Sequence, residues 1–167
     1  MKSSEHPERA IHARVVLDAD MDQVWRAWTT NQGVRSFFAP DSNIDLRLDG
    51  PYEIFFNPDA EPGERGAEGM RIMALQPPTM LAFTWNAPPS IPALRQQRTH
   101  VILRLKQTPD GGTEVRLTHD GWGEGIEWDR AFEYFDRAWN QVVFPRLEYR
   151  FRHGPVDWLN PPDLSAG

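Results

Sequence analysis

The first regular element of the chain is marked by an alternation in which apolar residues occupy every second position. In residues 10–17 the apolar side chains at every second position are Ile11, Ala13, Val15 and Leu17. Such a period of two is typical of a strand with one face on a core and one face in water. The alternation therefore predicts a half-buried strand at the start of the domain.

Two short helices are predicted directly after this strand. Asp20 has the character of an N-cap, and Gln23 follows three residues later, which is the spacing of a capping box. Apolar side chains then recur at helical spacing up to Trp28. Residues 31–38 form a second helical segment, which must end before Pro40 because proline disfavours helical geometry in the residue ahead of it.

A succession of strand patterns separated by turns follows over residues 43–120. The predicted strands are 43–48, 52–57, 69–75, 80–86, 99–108 and 113–121. A charged loop at 58–68 and a Pro-rich excursion at 87–98 interrupt them, and a tight turn at 109–112 would place Lys106 opposite Glu114. Since consecutive strands of this kind pair as a meander, the sheet should be mostly antiparallel.

The period changes to 3.6 after three glycines at 121, 123 and 125. The large apolar side chains that then recur at steps of three or four are Trp128, Phe132, Phe135, Trp139, Val142 and Val143. Charged residues cover the opposite side, so a long amphipathic helix is predicted. Pro145 lies within it and removes one backbone hydrogen bond, which predicts a kink or break at that point.

This order of elements predicts an α+β fold in which a curved antiparallel sheet is covered by the long helix. A curved sheet leaves a gap at one end, and large rings around such a gap leave space for an apolar pocket. The same rings could equally form a solid core, and the pattern leaves both interpretations open. The predicted cavity walls are Trp28, Phe38, Phe56, Met73, Phe83, Trp85, Leu103, Trp122, Trp128, Phe132, Phe135 and Trp139.

Composition narrows the classes of function. Seven Trp and nine Phe against three Tyr indicate much apolar ring surface with few hydroxyl groups. A net charge of −6 gives no basic footprint for nucleic acid, so no nucleic-acid partner is expected. The chain has no Cys, no apolar run long enough to span a bilayer and no apolar leader in its first ten residues. A soluble, cytoplasmic protein without membrane insertion is expected.

Two polar side chains are candidates for contact with a ligand. His119 shares the inward face of its strand with Leu117, where it could transfer a proton or serve as a structural hydrogen-bonding group. Arg71 lies between apolar neighbours and would hold a ligand carboxylate if it pointed inward, although an outward, solvated position is favoured. No nucleophile elbow, metal-ligand spacing or phosphate loop is present in the sequence, so no cofactor, metal or catalytic residue is predicted.

Several segments, taken in order, resemble the activator of Hsp90 ATPase-like proteins of the START/SRPBCC (Bet v-like) superfamily, over residues 9–150. The matching segments are Val24-Trp25-Arg26-Ala27-Trp28-Thr29, Phe37-Phe38-Ala39-Pro40, Asp49-Gly50-Pro51-Tyr52, Gly69 with Pro77-Pro78, Leu81-Ala82-Phe83-Thr84-Trp85, Gly112-Thr113, Thr118-His119-Asp120-Gly121 and Ala138-Trp139. The resemblance implies a helix-grip (START-like) fold of six to seven strands with two short helices after the first strand. It predicts a single domain over 9–153, with flexible or extended tails at 1–8 and 154–167.

The same resemblance implies several functions. The favoured one is binding of a small hydrophobic or amphipathic molecule, of unknown identity, in an internal cavity. The alternatives are a cyclase/dehydratase-like enzyme that uses His119 for proton transfer and a stress-related module that activates a chaperone ATPase. A non-enzymatic role is favoured because the residues supply no catalytic pattern. A homodimer is an open alternative for the oligomeric state, and Trp158 in the tail could contribute to it.

Overall fold

A computed structural model describes residues 9–164 of the chain. The elements in chain order are β1 (Ile11–Leu17), α1 (Met21–Thr29), α2 (Asn31–Arg35), β2 (Asp41–Ile44), β3 (Tyr52–Phe55), β4 (Gly66–Ala67), β5 (Ile72–Gln76), β6 (Met80–Trp85), a 3-10 turn (Pro92–Leu94), β7 (Thr99–Gln107), β8 (Thr113–Asp120), α3 (Ile126–Arg137), a π-helical segment (Ala138–Val143) and α4 (Phe144–His153). The predicted α+β order, with two short helices after the first strand and a long C-terminal helix, is confirmed.

The strands form two antiparallel sheets that meet edge to edge. The larger sheet has the order β1-β8-β7-β6-β5, and the smaller one has the order β2-β3-β4. Backbone hydrogen bonds join them: the N–H of Tyr52 donates to Met70 O, and the N–H of Ile72 donates to Gly50 O, each at 2.9 Å. The pairing therefore continues from one sheet into the next. The long helix packs against the larger sheet, which is the helix-grip arrangement that the sequence predicted.

Two strands are shorter than the sequence pattern suggested. β2 ends at Ile44 rather than near residue 48, because the chain turns over residues 45–50 and Asp49 takes a positive φ of 60° there. β5 begins at Ile72 rather than at residue 69, because Gly69 has a positive φ of 84°, which interrupts an extended strand. The short strand β4 arises inside the loop that was predicted over 58–68.

The β7–β8 hairpin has the predicted register, with Lys106 opposite Glu114. The carboxylate of Glu114 nevertheless contacts other cations, at 2.6 Å from Arg14 and 2.9 Å from Arg116. Arg14 lies on β1, so this acid links the edge strand of the larger sheet to its neighbour. Glu114 thus pairs with a cation on a neighbouring strand, but that cation is Arg14 of β1 rather than Lys106 of β7.

Helix α1 is fixed at both ends by side-chain hydrogen bonds. At its start, the Asp20 carboxylate accepts from the N–H of Gln23 at 2.8 Å, and the Gln23 side chain accepts from the N–H of Asp20, so the predicted capping box is present. Near its end, the hydroxyl of Tyr52 donates to the carbonyl oxygen of Trp28 at 2.7 Å. Tyr52 is fully buried, and burial raises the pKa of its hydroxyl above the ordinary value. This bond connects the first helix to β3.

The long helix crosses Pro145 without ending. The six residues before Phe144 are π-helical, and the N–H of Phe144 donates to the carbonyl of Trp139, five residues earlier. Because Pro145 has no N–H to donate, one wider turn accommodates the missing hydrogen bond while the helix continues. The helix therefore does not break at the proline, and a π-helical segment lies directly before it.

Residues 154–164 are not helical and lie against α2. The N–H of Val156 donates to Ser36 O at 2.8 Å, and the indole N–H of Trp158 donates to Arg35 O at 2.6 Å. Trp158 thus has contacts within its own chain. The predicted tail 1–8 and the last three residues of the predicted tail 154–167 lie outside the described residues.

Replacing Tyr52 by Phe is expected to lower the free energy of unfolding by about 1–3 kcal/mol. The change removes one hydroxyl and leaves the carbonyl of Trp28 without this partner in the core, and a buried unpaired acceptor costs that amount. Urea denaturation followed by fluorescence measures it. Tyr134→Phe, at an exposed tyrosine of α3, is the matched control and should change the free energy by less than about 0.5 kcal/mol. Equal effects of the two changes would contradict the assignment.

Candidate ligand cavity

A half-open, largely apolar pocket lies between the long helix and the sheet, on the side of the π-helical segment. This inner lobe has a volume of about 150 Å³. Its walls are formed by Phe38, Phe56, Trp85, Tyr134, Phe135, Ala138, Trp139, Val142, Val143 and Arg146. Four of these residues belong to the π-helical segment itself. π-helical turns occur often at functional sites. Because the lobe lies against such a turn, it is a candidate ligand site.

A second, outer lobe of about 390 Å³ opens from the inner one toward solvent. The two lobes share Phe56, Trp85, Tyr134 and Phe135, so they lie next to each other, and together they form the candidate cavity. The outer lobe is bounded by the loop after β3 and by the Pro-rich excursion after β6. Its lining is more polar than that of the inner lobe, with Asn86 and Arg95 among its side chains. The cavity therefore has an apolar interior and a partly polar mouth.

The guanidinium of Arg95 joins the two loops that form the mouth. It donates to Ala87 O at 2.6 Å and to Gly66 O at 3.0 Å, and it also contacts Gly63 O and, at 3.7 Å, the carboxylate of Glu68. Partial burial lowers the pKa of Arg95, and the charge of Glu68 raises it. Gly66 can sit there only as glycine, because a Cβ would lie 2.4 Å from a carbonyl oxygen of β3. The mouth thus has a fixed geometry.

Aromatic rings form the floor of the inner lobe. Phe38 lies at its centre, with ring centroids 5.9 Å from Trp85 and 5.7 Å from Trp139, and Trp85 lies 5.6 Å from Trp139. Phe56 meets Phe38 edge-on at 5.7 Å and is 43% exposed, so it stands between the lobe and solvent. These offset and edge-on arrangements are the favourable geometries for ring pairs. The floor is thus buried at Phe38, Trp85 and Trp139 and reaches solvent at Phe56.

The imidazole of His119 lies behind this floor and is fully buried. The indole N–H of Trp139 donates to its Nδ1 at 3.0 Å, and its Nε2 lies 2.7 Å from the hydroxyl of Thr99. Because Trp can only donate, Nδ1 carries no proton, so Nε2 carries one and donates it to Thr99. The hydroxyl of Thr99 in turn faces the carbonyl of Trp85 at 3.5 Å. The ring is therefore neutral and has both nitrogens engaged.

This arrangement removes His119 from proton chemistry. Burial, with a smaller contribution from the charge of His100, lowers the pKa of His119 to about 3. A general base needs a free nitrogen within hydrogen-bond reach of the substrate, and both nitrogens of this ring already bond to protein groups. The geometry supports the structural interpretation of this histidine over the catalytic one.

The residues that the sequence suggested as cavity walls fall into four groups. Those that line the cavity are Phe38, Phe56, Trp85, Phe135 and Trp139. Those buried in the core behind it are Trp28, Phe83, Leu103 and His119. Those that pack together around the start of α3 are Trp122, Trp128 and Phe132. Those that are exposed on the outside of the sheet are Arg71 and Met73.

Arg71 and Met73 lie outside the cavity because of strand alternation. Ile72 between them is 2% exposed and faces the core, so both of its neighbours point the other way. Arg71 donates to the carbonyl of Asp49 at 3.1 Å. It takes the outward position that the sequence favoured, and it does not reach a ligand in the cavity.

Asn86, Arg95 and Arg146 are among the lining residues that were missed from the sequence. Asn86 and Arg95 lie at or inside the Pro-rich excursion, whose irregular pattern gives no face to assign. Arg146 did carry a signal, because it follows Trp139 by seven residues and Val142 by four, on the same helical stripe. The other residues of such a stripe are apolar, so a cation on it is unusual and indicates a candidate ligand site.

A larger depression of about 820 Å³ lies on another side of the molecule, between α1, α2 and the end of α4. Its lining is largely polar, with Arg26, Arg35 and Arg150 among its residues, and Phe151 is its single aromatic ring. Volume alone would favour this depression. The cavity under the long helix is the better candidate because ligand sites are lined mainly by apolar and aromatic groups with few polar ones.

Within residues 9–164, no three His, Asp or Glu side chains come together as a possible metal-binding group. Over the same residues, no helix combines the length and the apolar character needed to cross a membrane.

Comparison with known proteins was made by family model and by fold. The model of the family described as activator of Hsp90 ATPase homolog 1-like protein matches residues 18–151. No curated protein matches the sequence significantly.

Similar solved structures share the fold at low identity. Protein MLL2253 from Mesorhizobium loti is 22% identical, with a TM-score of 0.66 over 84% of this chain and 94% of its own. An Aha1 dimer from Colwellia psychrerythraea is 19% identical, with a TM-score of 0.64 over 87% and 98%. PFC0360w, an HSP90 activator from Plasmodium falciparum, is 12% identical, with a TM-score of 0.60 over 81% and 90%.

The neutral state of His119 predicts a pH dependence of stability. The unfolded chain takes up a proton on this ring below its ordinary pKa of 6.5, whereas the folded ring stays neutral down to about 3. The contribution of the neutral ring to the free energy of unfolding is therefore fully present above pH 6.5. Below pH 6.5 this contribution decreases by about 1.4 kcal/mol for each pH unit. Between pH 4.5 and 6.5, His119→Gln should reduce the slope of the unfolding free energy against pH by the amount that corresponds to about one proton. Urea denaturation at several pH values measures this slope. The exposed His12→Gln variant should keep the wild-type slope, and an unchanged slope in His119→Gln would refute the account.

Proposed function

Since this chain belongs to the family of activator of Hsp90 ATPase homolog 1-like proteins, we propose that it binds a small hydrophobic or amphipathic molecule in the two-lobed cavity beneath its long helix. The observation that carries the proposal is the aromatic inner lobe, which lies against the π-helical segment and opens to solvent through a fixed mouth. The identity of the ligand stays open at this level.

The size and chemistry of the cavity support this function. The outer lobe alone, at about 390 Å³, lies within the range of about 300–1,000 Å³ that small-molecule sites occupy. Rings of Phe38, Trp85 and Trp139 provide an apolar surface, and burial of apolar ligand surface is favourable by roughly 25 cal/mol per Å². The charged lining residues lie in the outer lobe and, as Arg146, in the inner lobe, while the surface between them is largely aromatic. Such a cavity suits an amphipathic molecule.

The structure of the helix also favours a binding role over a purely structural one. In a regular helix, successive turns would lie at similar distances from the sheet. Here the π-helical turn is wider, and its Ala138 faces the lobe. Val142 on the same segment is 40% exposed. Apolar groups that are neither packed in the core nor hidden from water are the ones that a ligand would cover.

The enzymatic alternative has less support from this geometry. A cyclase or dehydratase needs a group that transfers a proton, and His119 was the side chain offered for that role. Its two nitrogens are bound to Trp139 and Thr99, and it does not line the cavity. A binding function without catalysis fits these contacts better.

A second candidate function is activation of a chaperone ATPase. The family description favours it, together with the Aha1 protein and the HSP90 activator among the similar structures. The test is the ATPase rate of an Hsp90 chaperone with and without this protein. Stimulation that persists after the cavity is blocked would favour this candidate, whereas an unchanged rate would remove it.

The oligomeric state and the cellular location stay predictions. The similar structure from Colwellia is of a dimer, which makes a homodimer of this chain a reasonable proposal. Light scattering of the purified protein measures it directly. A cytoplasmic location remains the expectation from the sequence.

Filling the inner lobe should abolish ligand binding. Ala138→Phe places a ring where the lobe is narrow, and it should weaken any ligand found in a tryptophan-fluorescence screen of lipids and aromatic compounds by about tenfold or more. Gln141→Phe adds the same ring at an exposed position of the same helix and is the matched control, with wild-type affinity expected. If no compound of the screen changes the fluorescence of the wild-type protein, or if both variants bind equally well, the cavity is not a ligand site.

A further inference from the structure

We propose that the ligand of this cavity is a monocarboxylic acid, whose carboxylate binds Arg146 at the inner end while its apolar tail lies along Trp139 and Trp85. The inference rests on the proposed function and specifies its ligand class. It assigns to Arg146 the role of anchoring the charged end of the ligand.

The position of Arg146 is the first observation. It lines the inner lobe together with Trp139, Val142 and Val143, and it is the single charged residue among the residues that line that lobe. Along the long helix it follows Tyr134, which borders both lobes, by twelve residues, or about three turns. The cation and the mouth are therefore at opposite ends of the cavity. A ligand that reaches both ends must be elongated.

The second observation is that Arg146 lacks the partners that the other cavity cations have. Arg65 donates from Nε to Ala60 O at 2.9 Å, and Arg95 donates to three carbonyl groups and approaches Glu68. Arg146 makes no hydrogen bond or ion pair within residues 9–164. Burial lowers the pKa of Arg146, and no neighbouring carboxylate counteracts that effect. A half-buried cation with no counter-charge is stabilised by an anionic ligand.

The third observation is that the guanidinium of Arg146 is held in place. It lies over the ring of Trp158 at 5.1 Å from the centroid, and the indole N–H of Trp158 is bonded to Arg35 O at 2.6 Å. Stacking on an aromatic ring occupies one face of a guanidinium and leaves its N–H edge free for a planar acceptor. A carboxylate matches that edge with two parallel hydrogen bonds. The docked tail of the chain thus has a part in forming the site.

The charge distribution of the cavity agrees with this orientation. Glu64 is the one acid among the lining residues of the two lobes, and it lies in the outer lobe, where it is exposed. The inner lobe has a cation and apolar walls but no acid. The outer lobe also has two cations, Arg65 and Arg95, but both already have protein partners. The cation without a partner lies at the inner end, so the carboxylate of the ligand is favoured there.

The test compares acids with neutral compounds of the same shape. The probes are decanoate with decanamide, and 2-naphthylacetate with 2-naphthylacetamide, below any micelle-forming concentration at pH 7.5. Binding to the full chain is followed by tryptophan fluorescence and by calorimetry. Charge-assisted hydrogen bonds in a partly desolvated site should make the acid of a pair bind roughly 10- to 100-fold more tightly than its amide.

Variants of Arg146 assign the difference to this side chain. Arg146→Gln should bring the acid of each pair to the affinity of its amide, while the amide affinity stays near its wild-type value. Arg146→Lys should keep part of the preference, because it retains the charge but not the paired N–H edge. Arg137→Gln removes an exposed cation of the same helix and is the matched control, with the full preference expected.

The outcomes separate this inference from the function on which it rests. Equal binding of acid and amide by the wild-type protein would overturn the carboxylate inference and leave the binding function standing. A preference for the acid that survives in Arg146→Gln would overturn the role of Arg146. Binding of none of the four compounds would overturn both the inference and the proposed function.

Discussion

The contact on which the rest of this structure depends is the buried hydrogen-bond series from the long helix to the sheet. The indole of Trp139 bonds to His119 on β8, His119 bonds to Thr99 on β7, and the hydroxyl of Thr99 faces the carbonyl of Trp85 on β6. A polar series of this kind is favourable in the core only if each member is satisfied, so it specifies one position of the helix above the sheet. Two of its members, Trp139 and Trp85, are also walls of the cavity. The same bonds that fix the helix therefore fix the site.

A second constraint explains why space remains beneath the helix. Pro145 cannot donate a backbone hydrogen bond, and the preceding π-helical turn accommodates this while moving Ala138 and Val142 out of a regular helical register. Close packing would normally fill such a gap, because voids without contacts are unfavourable in protein cores. Here the loops joined by Arg95 keep the mouth open, and the gap remains as a cavity. The departure from regular helix and the candidate site thus have one physical origin.

The sequence predicted most of the architecture and half of the residues that line the inner lobe. Alternation in β7 and β8 placed Leu103 and His119 on the inward face, and the capping box located the start of α1, because these signals depend on local geometry alone. The wall was harder to predict, since the period of a helix does not say whether a ring faces a space or another ring. Trp128 and Phe132 lie on the same stripe as Trp139 but pack around Trp122, and only the tertiary arrangement separates them. Family membership shows the fold, whereas the ligand must be inferred from the residues of the site.

The central claim is that the space between Phe38, Trp85 and Trp139 is a real apolar cavity that accepts a guest. A crystal of the protein under xenon pressure tests it most directly, because xenon enters apolar cavities without needing any specific chemistry. The account predicts a xenon atom in the inner lobe, within contact distance of these three rings. A structure in which the rings close over the lobe and no xenon is found beneath the π-helical segment would contradict the account.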